Sequence, residues 1–178
     1  MPIRPRGFTL IELSATMAII GLIGVFTVPA LQSVRYAANG RKAHTELLST
    51  VLTASHKAAL HGVHTVICPS ADGIHCQSGY DWSLGWIAYI DNNNTREREP
   101  DEPLIQRQGA LTDARLISTS GRTRIVFQGN GGNAGSNVTF TLCDKRGPDK
   151  AQTLILSNTG NLRQSSPNAG AIAEACRF

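Results

Sequence analysis

The first part of the chain is almost continuously apolar. Between Phe8 and Val34 the only charged side chain is that of Glu12, and the next charge along the chain is Arg35. An α-helix needs about 20 apolar residues to cross the hydrocarbon core of a bilayer, so residues 8–31 are long enough to span it. The pattern predicts a transmembrane helix that carries a single carboxylate near its start.

Beyond this segment the apolar positions take up a helical period and define one buried face. These positions are Leu47, Val51, Ala54 and Ala58. Gly62 follows them where a helix C-cap is expected. We predict that residues 32–62 continue the helix in amphipathic form. Pro29, inside the apolar half, predicts a kink because proline has no backbone N–H to donate.

After Gly62 the pattern changes to that of β-strands. Val138, Phe140 and Leu142 alternate with threonines, as in a half-buried strand. Turn-forming stretches such as GNGGNAGSN and RGPDK separate runs rich in branched and aromatic residues. The runs are VHTVIC, WIAYID, TRIVFQ, NVTFTLC and TLILS. The sequence therefore predicts an α+β fold, in which the long helix packs on an antiparallel sheet within residues 63–178.

The segment before the apolar run is unlike an ordinary secretory signal. Such signals have a small-residue cleavage site after the apolar region, whereas here no A-x-A pattern follows it and the small residue, Gly7, precedes it. Cleavage after Gly7 would remove residues 1–7 and leave the helix on the mature protein. The alternative is an uncut signal anchor.

Glu12 needs an explanation at membrane depth. A charged side chain there costs roughly 2.5–3.5 kcal/mol on insertion scales and usually has a partner of opposite charge. Cleavage after Gly7 would create such a partner, the α-amino group of Phe8, and in an array of helices the glutamate of one could meet the amine of its neighbour. The alternative is that Glu12 lies at the interface and only complements the helix dipole.

The stretch R-G-F-T-L-I-E-L resembles the class III signal of type IV prepilins and type II secretion pseudopilins. The resemblance implies that a membrane prepilin peptidase cuts between Gly7 and Phe8 and methylates the new N-terminus. It implies that Glu12 guides the docking of the subunit into a growing filament. It also agrees with Pro29, since pilins often carry a proline at this point of the helix.

The second half of the chain resembles the GspH/FimT group of minor pilins and pseudopilins. The stretches that carry this resemblance are ICPSADGIHC, DWSLGWIAYID, DEPLIQRQGAL and FTLCDKRG, followed by a cysteine near the C-terminus. The resemblance implies a type IV pilin-like fold, insertion in the inner membrane with the head in the periplasm, and later a place in a pilus at the cell surface. The implied role is to initiate or cap a type IV pilus together with other minor and major pilins. A minor pseudopilin of type II secretion is the alternative.

Four cysteines allow three disulfide pairings. None forms a C-x-x-C pair, which disfavours a zinc site. A head outside the inner membrane lies in an oxidising compartment, where disulfides persist. We favour Cys68 with Cys76, which closes a small loop, and Cys143 with Cys176, which ties the C-terminal tail to a strand. Free buried thiols are the alternative.

No arrangement of residues predicts catalysis, a cofactor or a metal site. His61 and His64 flank a predicted helix-to-strand bend, which does not place them as metal ligands. The stretch DNNNTREREPDE has side chains at calcium-loop spacing. These are Asp91, Asn93, Thr95, Glu97 and Glu102. However, Arg96 replaces the glycine that such a loop requires, so we predict a solvated acidic turn.

Double-stranded DNA is the alternative partner. The net charge is +4 and the pI about 9.1, and the bases concentrate from Arg115 onward, with eight bases against three acids. Such a surface could neutralise phosphates. The basic side chains include Lys145 and Arg146. Few aromatic residues accompany them, so stacking on single strands is poorly supported.

Two short stretches are candidates for the DNA contact. Some FimT-type pilins bind DNA for natural transformation through a G-R-x-R motif before the C-terminal cysteine, and the matching stretch here is TGNLRQ. Arg163 matches the motif, but Asn161 stands in place of the first arginine. SGRTR spells G-R-x-R elsewhere, and its Arg122 and Arg124 are predicted to lie on one side of a strand. There they would form a phosphate clamp or, alternatively, act as edge-strand charges that discourage aggregation.

Overall fold

The computed structural model describes residues 7–133, 135 and 137–178. The chain divides into two compact units, Met1–Arg35 and Tyr36–Phe178, with the boundary inside the first helix. The helices are α1 (Leu10–His61) and α2 (Ala169–Ala175), and a 3₁₀ turn covers Pro148–Lys150. The strands are β1 (His64–Pro69), β2 (Trp86–Asp91), β3 (Leu104–Gln108), β4 (Ala114–Ser118), β5 (Ile125–Phe127), β6 (Val138–Asp144), β7 (Gln152–Leu156) and β8 (Leu162–Ser165).

In the first unit, α1 presents an apolar surface to its surroundings. The large side chains between Leu10 and Val34 are mostly more than half exposed. Within the described residues, α1 is the one helix that is long and apolar enough to cross a membrane. Its helical assignment continues through Pro29, and the kink there remains a prediction. An all-apolar helix surface is normally covered by lipid or by other protein.

The second unit contains two four-stranded antiparallel sheets. One sheet has the strand order β3-β2-β1-β5 and the other has the order β4-β6-β7-β8. The five strands that the alternating pattern predicted are present as β1, β2, β5, β6 and β7. Strands β3, β4 and β8 and the helix α2 were not predicted. The α+β fold class is confirmed, with two sheets in place of one.

The core forms between the C-terminal half of α1 and the inner faces of both sheets. The predicted helix face, including Leu47 and Val51, is fully buried and shares one cluster with Phe140 of β6. Trp82 meets the Phe140 ring edge-on, with ring centroids 5.1 Å apart. Trp86 donates its indole N–H to Thr50 Oγ1 of α1 at 3.0 Å. Apolar burial and this buried hydrogen bond fix the register of α1 against the strands.

Gly62 ends α1 as predicted. Its φ is +64°, in the left-handed region that favours glycine. The N–H of Val63 donates to the carbonyl of Ala58 at 3.3 Å, which is the long hydrogen bond of a Schellman motif. The chain thereby reverses and enters β1 two residues later.

Two disulfides crosslink residues 63–178, which we call the head. They join Cys68 to Cys76 and Cys143 to Cys176, the pairs that the sequence favoured. The second bond attaches the end of α2 to β6, where Ala175 and Cys143 form a small buried cluster with Ile117. The C-terminal helix is therefore held on the outer face of the second sheet.

Candidate functional site

The predicted cleavage point lies in non-helical backbone just before α1. Gly7 and Phe8 are exposed, and Phe8 retains 90% of its accessible surface. The helix begins at Leu10. A peptidase needs an accessible segment. Gly7 and Phe8 are exposed and lie outside α1, and cleavage between them stays a prediction.

Thr9 and Glu12 form a reciprocal cap at the start of α1. The Thr9 hydroxyl oxygen accepts the Glu12 N–H at 3.3 Å, and Glu12 Oε2 accepts the Thr9 N–H at 2.9 Å. The Thr9 hydroxyl also donates to Glu12 Oε2, at 3.0 Å. This is a capping box, which satisfies donors at the helix start that have no partner in the helix. Thr9 was not predicted to have a role, although the spacing T-x-x-E is that of a capping box.

The capping box uses one of the two carboxylate oxygens of Glu12. Within the described residues the other, Oε1, makes no hydrogen bond, and the side chain is exposed. No basic side chain occurs between Gly7 and Val34, so this stretch offers no side-chain cation to pair with it. Oε1 is thus an acceptor without a partner in the described part of the chain.

Three of the five candidate DNA contacts are engaged in ion pairs. Arg124 pairs with Glu97, and the Lys145 amine lies 2.7 Å from a carboxylate oxygen of Asp113. Arg146 makes a two-pronged contact with Asp144: its Nε and Nη2 lie 2.9 and 2.8 Å from the two carboxylate oxygens. This bonding raises the pKa of the Arg146 guanidinium. These three cations are partly neutralised and hold together parts of the head.

Arg122 does not lie on a strand, and that prediction was wrong. β5 begins at Ile125, and the preceding backbone forms a turn. The Arg122 N–H donates to the Thr119 carbonyl at 3.1 Å, and its own carbonyl accepts the Ser118 hydroxyl at 2.9 Å. Since Arg122 and Arg124 both precede β5, they do not form the predicted clamp on one strand face. Arg122 is exposed and has no ion pair within the described structure.

Arg163 is exposed on β8, an edge strand of the second sheet. The turn before β8 contains Gly160, where φ is +80° and an added Cβ would approach the Gly131 carbonyl oxygen to 3.1 Å. Gly160 is therefore required by the turn itself. Arg163 belongs to one sheet and Arg124 adjoins the other, so these two candidates do not share a sheet.

The acidic turn is only partly solvated, which corrects the prediction. Its middle is exposed, but Asp91 and Glu102 at its ends are each only 2% exposed. Asp91 accepts the N–H groups of Thr95 and Arg96 at 3.2 and 3.1 Å. Glu102 accepts those of Asn92 and Glu99 at 2.9 and 3.0 Å. The buried carboxylates are thus bonded to the backbone of their own loop, and no cluster of metal-ligating side chains occurs in the described part of the chain.

A further polar cluster supports the C-terminal helix. Arg115 donates to the Glu174 carbonyl at 3.4 Å and pairs with Asp81 at 2.8 Å. Burial raises the pKa of the Asp81 carboxyl, but hydrogen bonds from Ser83 and the contact with Arg115 outweigh burial and hold this pKa below its ordinary value. A hydrogen bond to Glu174 raises the pKa of the Tyr80 phenol. Arg115 is therefore a helix cap rather than a free phosphate contact.

Comparison with family models gives two matches that together cover most of the chain. Residues 4–28 match the prokaryotic N-terminal methylation motif. Residues 43–160 match the model described as "Type II transport protein GspH". No curated protein matches the sequence.

Solved structures of minor pilins share the fold. The type IV minor pilin FimU of Pseudomonas aeruginosa strain PAO1 superposes with a TM-score of 0.52 at 16% identity, covering 71% of this chain and 92% of that one. A second crystal form of FimU gives 0.53 at 16% identity, with 71% and 87% covered. The minor pseudopilin EpsH from the type 2 secretion system of Vibrio cholerae gives 0.52 at 13% identity, with 73% and 98% covered.

These likenesses show the fold, and the family model extends over well over half of the sequence. The methylation motif at the other end implies processing by a prepilin peptidase. The chain belongs to the GspH family and is a minor pilin or pseudopilin of the GspH/FimT kind.

Proposed function

We propose that this protein is a minor subunit of a type IV pilus that works by packing and not by catalysis. A prepilin peptidase cuts between Gly7 and Phe8 and methylates the new N-terminus. The mature helix, residues 8–31, then leaves the inner membrane and enters the filament, with residues 32–62 as its amphipathic continuation and residues 63–178 as the periplasmic head. Its position is at the start or tip of the filament, beside other minor and major pilins.

The observation that carries this proposal is the exposed carboxylate of Glu12 on an uncovered apolar helix. A charge within the bilayer costs roughly 2.5–3.5 kcal/mol on insertion scales. The Thr9 hydroxyl and N–H donate to one oxygen of Glu12 and offset part of that cost. The other oxygen is available for the α-amino group of Phe8 in a neighbouring subunit. Assembly then exchanges an unpaired charge in lipid for an ion pair.

The apolar helix surface supplies the rest of the driving force. In lipid, helix association depends on close packing and on polar contacts between helices, since the tails are as apolar as leucine. The exposed apolar side chains of α1 fit such packing. Among apolar side chains, the ion pair between Glu12 and the neighbouring α-amino group fixes the axial register of one helix against the next.

The test separates the charge of Glu12 from its role in the helix cap. Glu12→Gln keeps an amide that can complete the capping box but has no charge, whereas Thr9→Ala breaks the box and leaves the charge. We expect Glu12→Gln to be cleaved after Gly7 yet reduced at least tenfold in sheared pili. Thr9→Ala should retain most incorporation. The readouts are the intact mass of the membrane form and quantitative immunoblots of pili.

Wild-type incorporation of Glu12→Gln would refute the ion-pair mechanism. If the wild-type chain is missing from pili and its deletion stops protein secretion instead, the protein is the alternative, a minor pseudopilin of type II secretion. Cleavage and methylation are common to both systems and do not distinguish them. Presence in pili and loss of secretion on deletion do.

A DNA receptor for natural transformation is the second candidate. It is supported by two exposed arginines without ion pairs in the described structure, Arg122 and Arg163. It is weakened by Asn161, which leaves the C-terminal stretch with one arginine where the resembling motif has two. We therefore place DNA binding second.

A further inference from the structure

The loop that follows β2 carries a covalent-modification pattern. Residues 91–95 read D-N-N-N-T. Asn93 and Thr95 form the acceptor pattern N-x-[S/T] for N-linked oligosaccharides, with a residue other than proline between them. The pattern alone occurs often by chance. Here the pattern lies in an exposed loop, and an acid, Asp91, stands two residues before the asparagine.

The acceptor amide lies at the surface of the head. All residues from Asn92 to Glu97 are exposed. The Asn93 side chain donates its Nδ2–H to Glu99 Oε1 at 2.9 Å, and its Oδ1 accepts the Thr95 N–H at 3.2 Å. Nδ2 carries two hydrogens and this bond uses one. A sugar attached to Nδ2 replaces one hydrogen, so both bonds can persist in the modified, folded loop.

Asp91 behaves differently from the rest of the pattern. Its side chain is buried, and its two oxygens bond the N–H groups of Thr95 and Arg96. A transferase that recognises Asp91 together with Asn93 and Thr95 needs all three side chains accessible in one extended segment. The folded loop does not present them in that way. Modification must therefore precede closure of the loop.

The chain contains an internal control. Asn137, Val138 and Thr139 also spell N-x-T, but the residue two before Asn137 is Gly135. Val138 is only 2% exposed in β6, and the Thr139 N–H donates to the Thr119 hydroxyl oxygen at 3.1 Å. This second acceptor pattern has no acid and is tied into a sheet.

We propose that Asn93 is an N-glycosylation site, modified in the periplasm before the loop at residues 91–102 closes. The donor is an oligosaccharide linked to a polyprenyl pyrophosphate. The Asn93 Nδ2 attacks the anomeric carbon of the first sugar, forming a C–N bond while the bond from that carbon to the pyrophosphate oxygen breaks. The polyprenyl pyrophosphate leaves with the electron pair, and the displaced amide proton passes to a base of the transferase. The site rests on the periplasmic placement of the head.

The first experiment is intact-mass and glycopeptide analysis of the full chain recovered from the membranes of its own bacterium. We expect a mass above that of the methylated mature chain by one oligosaccharide, located on Asn93. Asn93→Gln and Thr95→Val should each abolish it, whereas Thr95→Ser, which keeps the hydroxyl, and Asn137→Gln should retain it. The serine and valine variants differ mainly in the hydroxyl, so they separate recognition from folding.

A wild-type mass without the oligosaccharide increment, or an increment that survives Asn93→Gln, overturns the proposal. Leader removal and methylation are read in the same spectrum as separate mass differences. Failure of the proposed processing is therefore distinguishable from failure of the modification.

The second experiment tests the order of folding and transfer. Full-length chain made without the donor is offered to transferase-containing membranes with the lipid-linked oligosaccharide. The folded, disulfide-bonded protein should be modified at least tenfold more slowly than the same protein after reduction and unfolding. Equal rates for both forms would show that the closed loop is itself the acceptor and would overturn the proposed order.

Discussion

At the scale of single residues, carboxylates in this head act mainly on nearby backbone. Asp72 lies in the loop closed by Cys68 and Cys76, and its Oδ1 accepts the N–H groups of Ile74 and His75 at 2.7 and 2.9 Å. Asp144 shows a different constraint, because it packs against α1. A Cβ at Gly40 would approach Asp144 Oδ2 to 2.6 Å, so the glycine makes room for that carboxylate.

Asp72 makes the stability of the head depend on acid. The backbone N–H of His75, the His75 ring and the N–H of Ile74 bond its carboxylate and hold its pKa far below the ordinary value of 3.8. A lowered folded-state pKa stabilises the protein above the unfolded-state pKa, and this contribution is lost as pH falls toward the folded value. We expect Asp72→Asn to lower the Tm at pH 7, with the difference from wild type shrinking progressively below about pH 4.

Asp101→Asn is the matched control, since Asp101 is exposed and its side chain makes no hydrogen bond in the described structure. Its Tm should follow that of wild type at each pH. Thermal melts of the three proteins between pH 2 and pH 7 provide the measurement. A constant Asp72→Asn difference across this range would contradict the linkage to the carboxylate.

At the scale of elements, α2 is a short helix that depends on its attachments. It has only seven residues, and Asn168 caps it by accepting the Ala171 N–H at 2.8 Å. Isolated helices of this length are unstable in water. The disulfide from Cys143 to Cys176 and the Arg115 contacts therefore hold it on the sheet.

The two disulfides should differ in their contribution to stability. Their cysteines are 8 and 33 residues apart. Loop-closure entropy predicts about 2.5 kcal/mol for the shorter loop and about 3.7 kcal/mol for the longer one. We expect the double change Cys143→Ser, Cys176→Ser to cost more free energy of unfolding than Cys68→Ser, Cys76→Ser, as measured by urea denaturation.

Hydrogen exchange provides the structural readout for the same pair. Loss of the longer disulfide should deprotect α2 and leave the strands β6 and β7 protected. Uniform loss of protection throughout the head would show that α2 is integral to the fold and not an attached element.

At the scale of the whole molecule, ion pairs engage several bases of the basic half of the sequence. Arg124, Lys145 and Arg146 are engaged with acids, which leaves Arg122 and Arg163 as the exposed candidates. Four of the eight bases from Arg115 onward are thus paired with acids in the described structure. This pairing favours structural roles for the ion pairs over phosphate binding.

Duplex DNA shift assays over a salt series test whether Arg122 or Arg163 contacts phosphates. Each phosphate contact adds about 0.9 to the slope of log K against log salt. We expect Asn161→Arg, which restores the second arginine of the C-terminal stretch, to tighten binding and steepen the slope by about 0.9. Arg163→Ala should reduce the slope by a similar amount. Arg124→Ala, the control, should change it little because Glu97 already pairs with this arginine.

If neither wild type nor Asn161→Arg shifts DNA at low salt, the DNA role is excluded for this head. Binding that is unchanged by Arg163→Ala and lost in Arg122→Ala would instead place the contact at the turn before β5. The result decides between a purely structural pilin and one that also captures DNA.

Local sequence determined much of this protein. The apolar run and the stretch R-G-F-T-L-I-E-L revealed the helix and its predicted processing site, because the period of a helix and a short motif are encoded by neighbours in the chain. Five strands were found for the same reason. β3 and β8 were missed because LIQRQ and LRQS are edge strands with mostly polar, partly exposed side chains, and α2 was missed because seven residues show no helical period.

Tertiary structure decided which charged residues are free. Sequence treated Arg124 as available, yet it meets Glu97, 27 positions away. Sequence also predicted that the acidic turn is solvated, yet Asp91 and Glu102 are buried. Ion pairs and buried hydrogen bonds depend on groups that only folding brings together. The sequence alone therefore determined the helix and the class of the fold, and the tertiary structure decided which side chains remain free to bind.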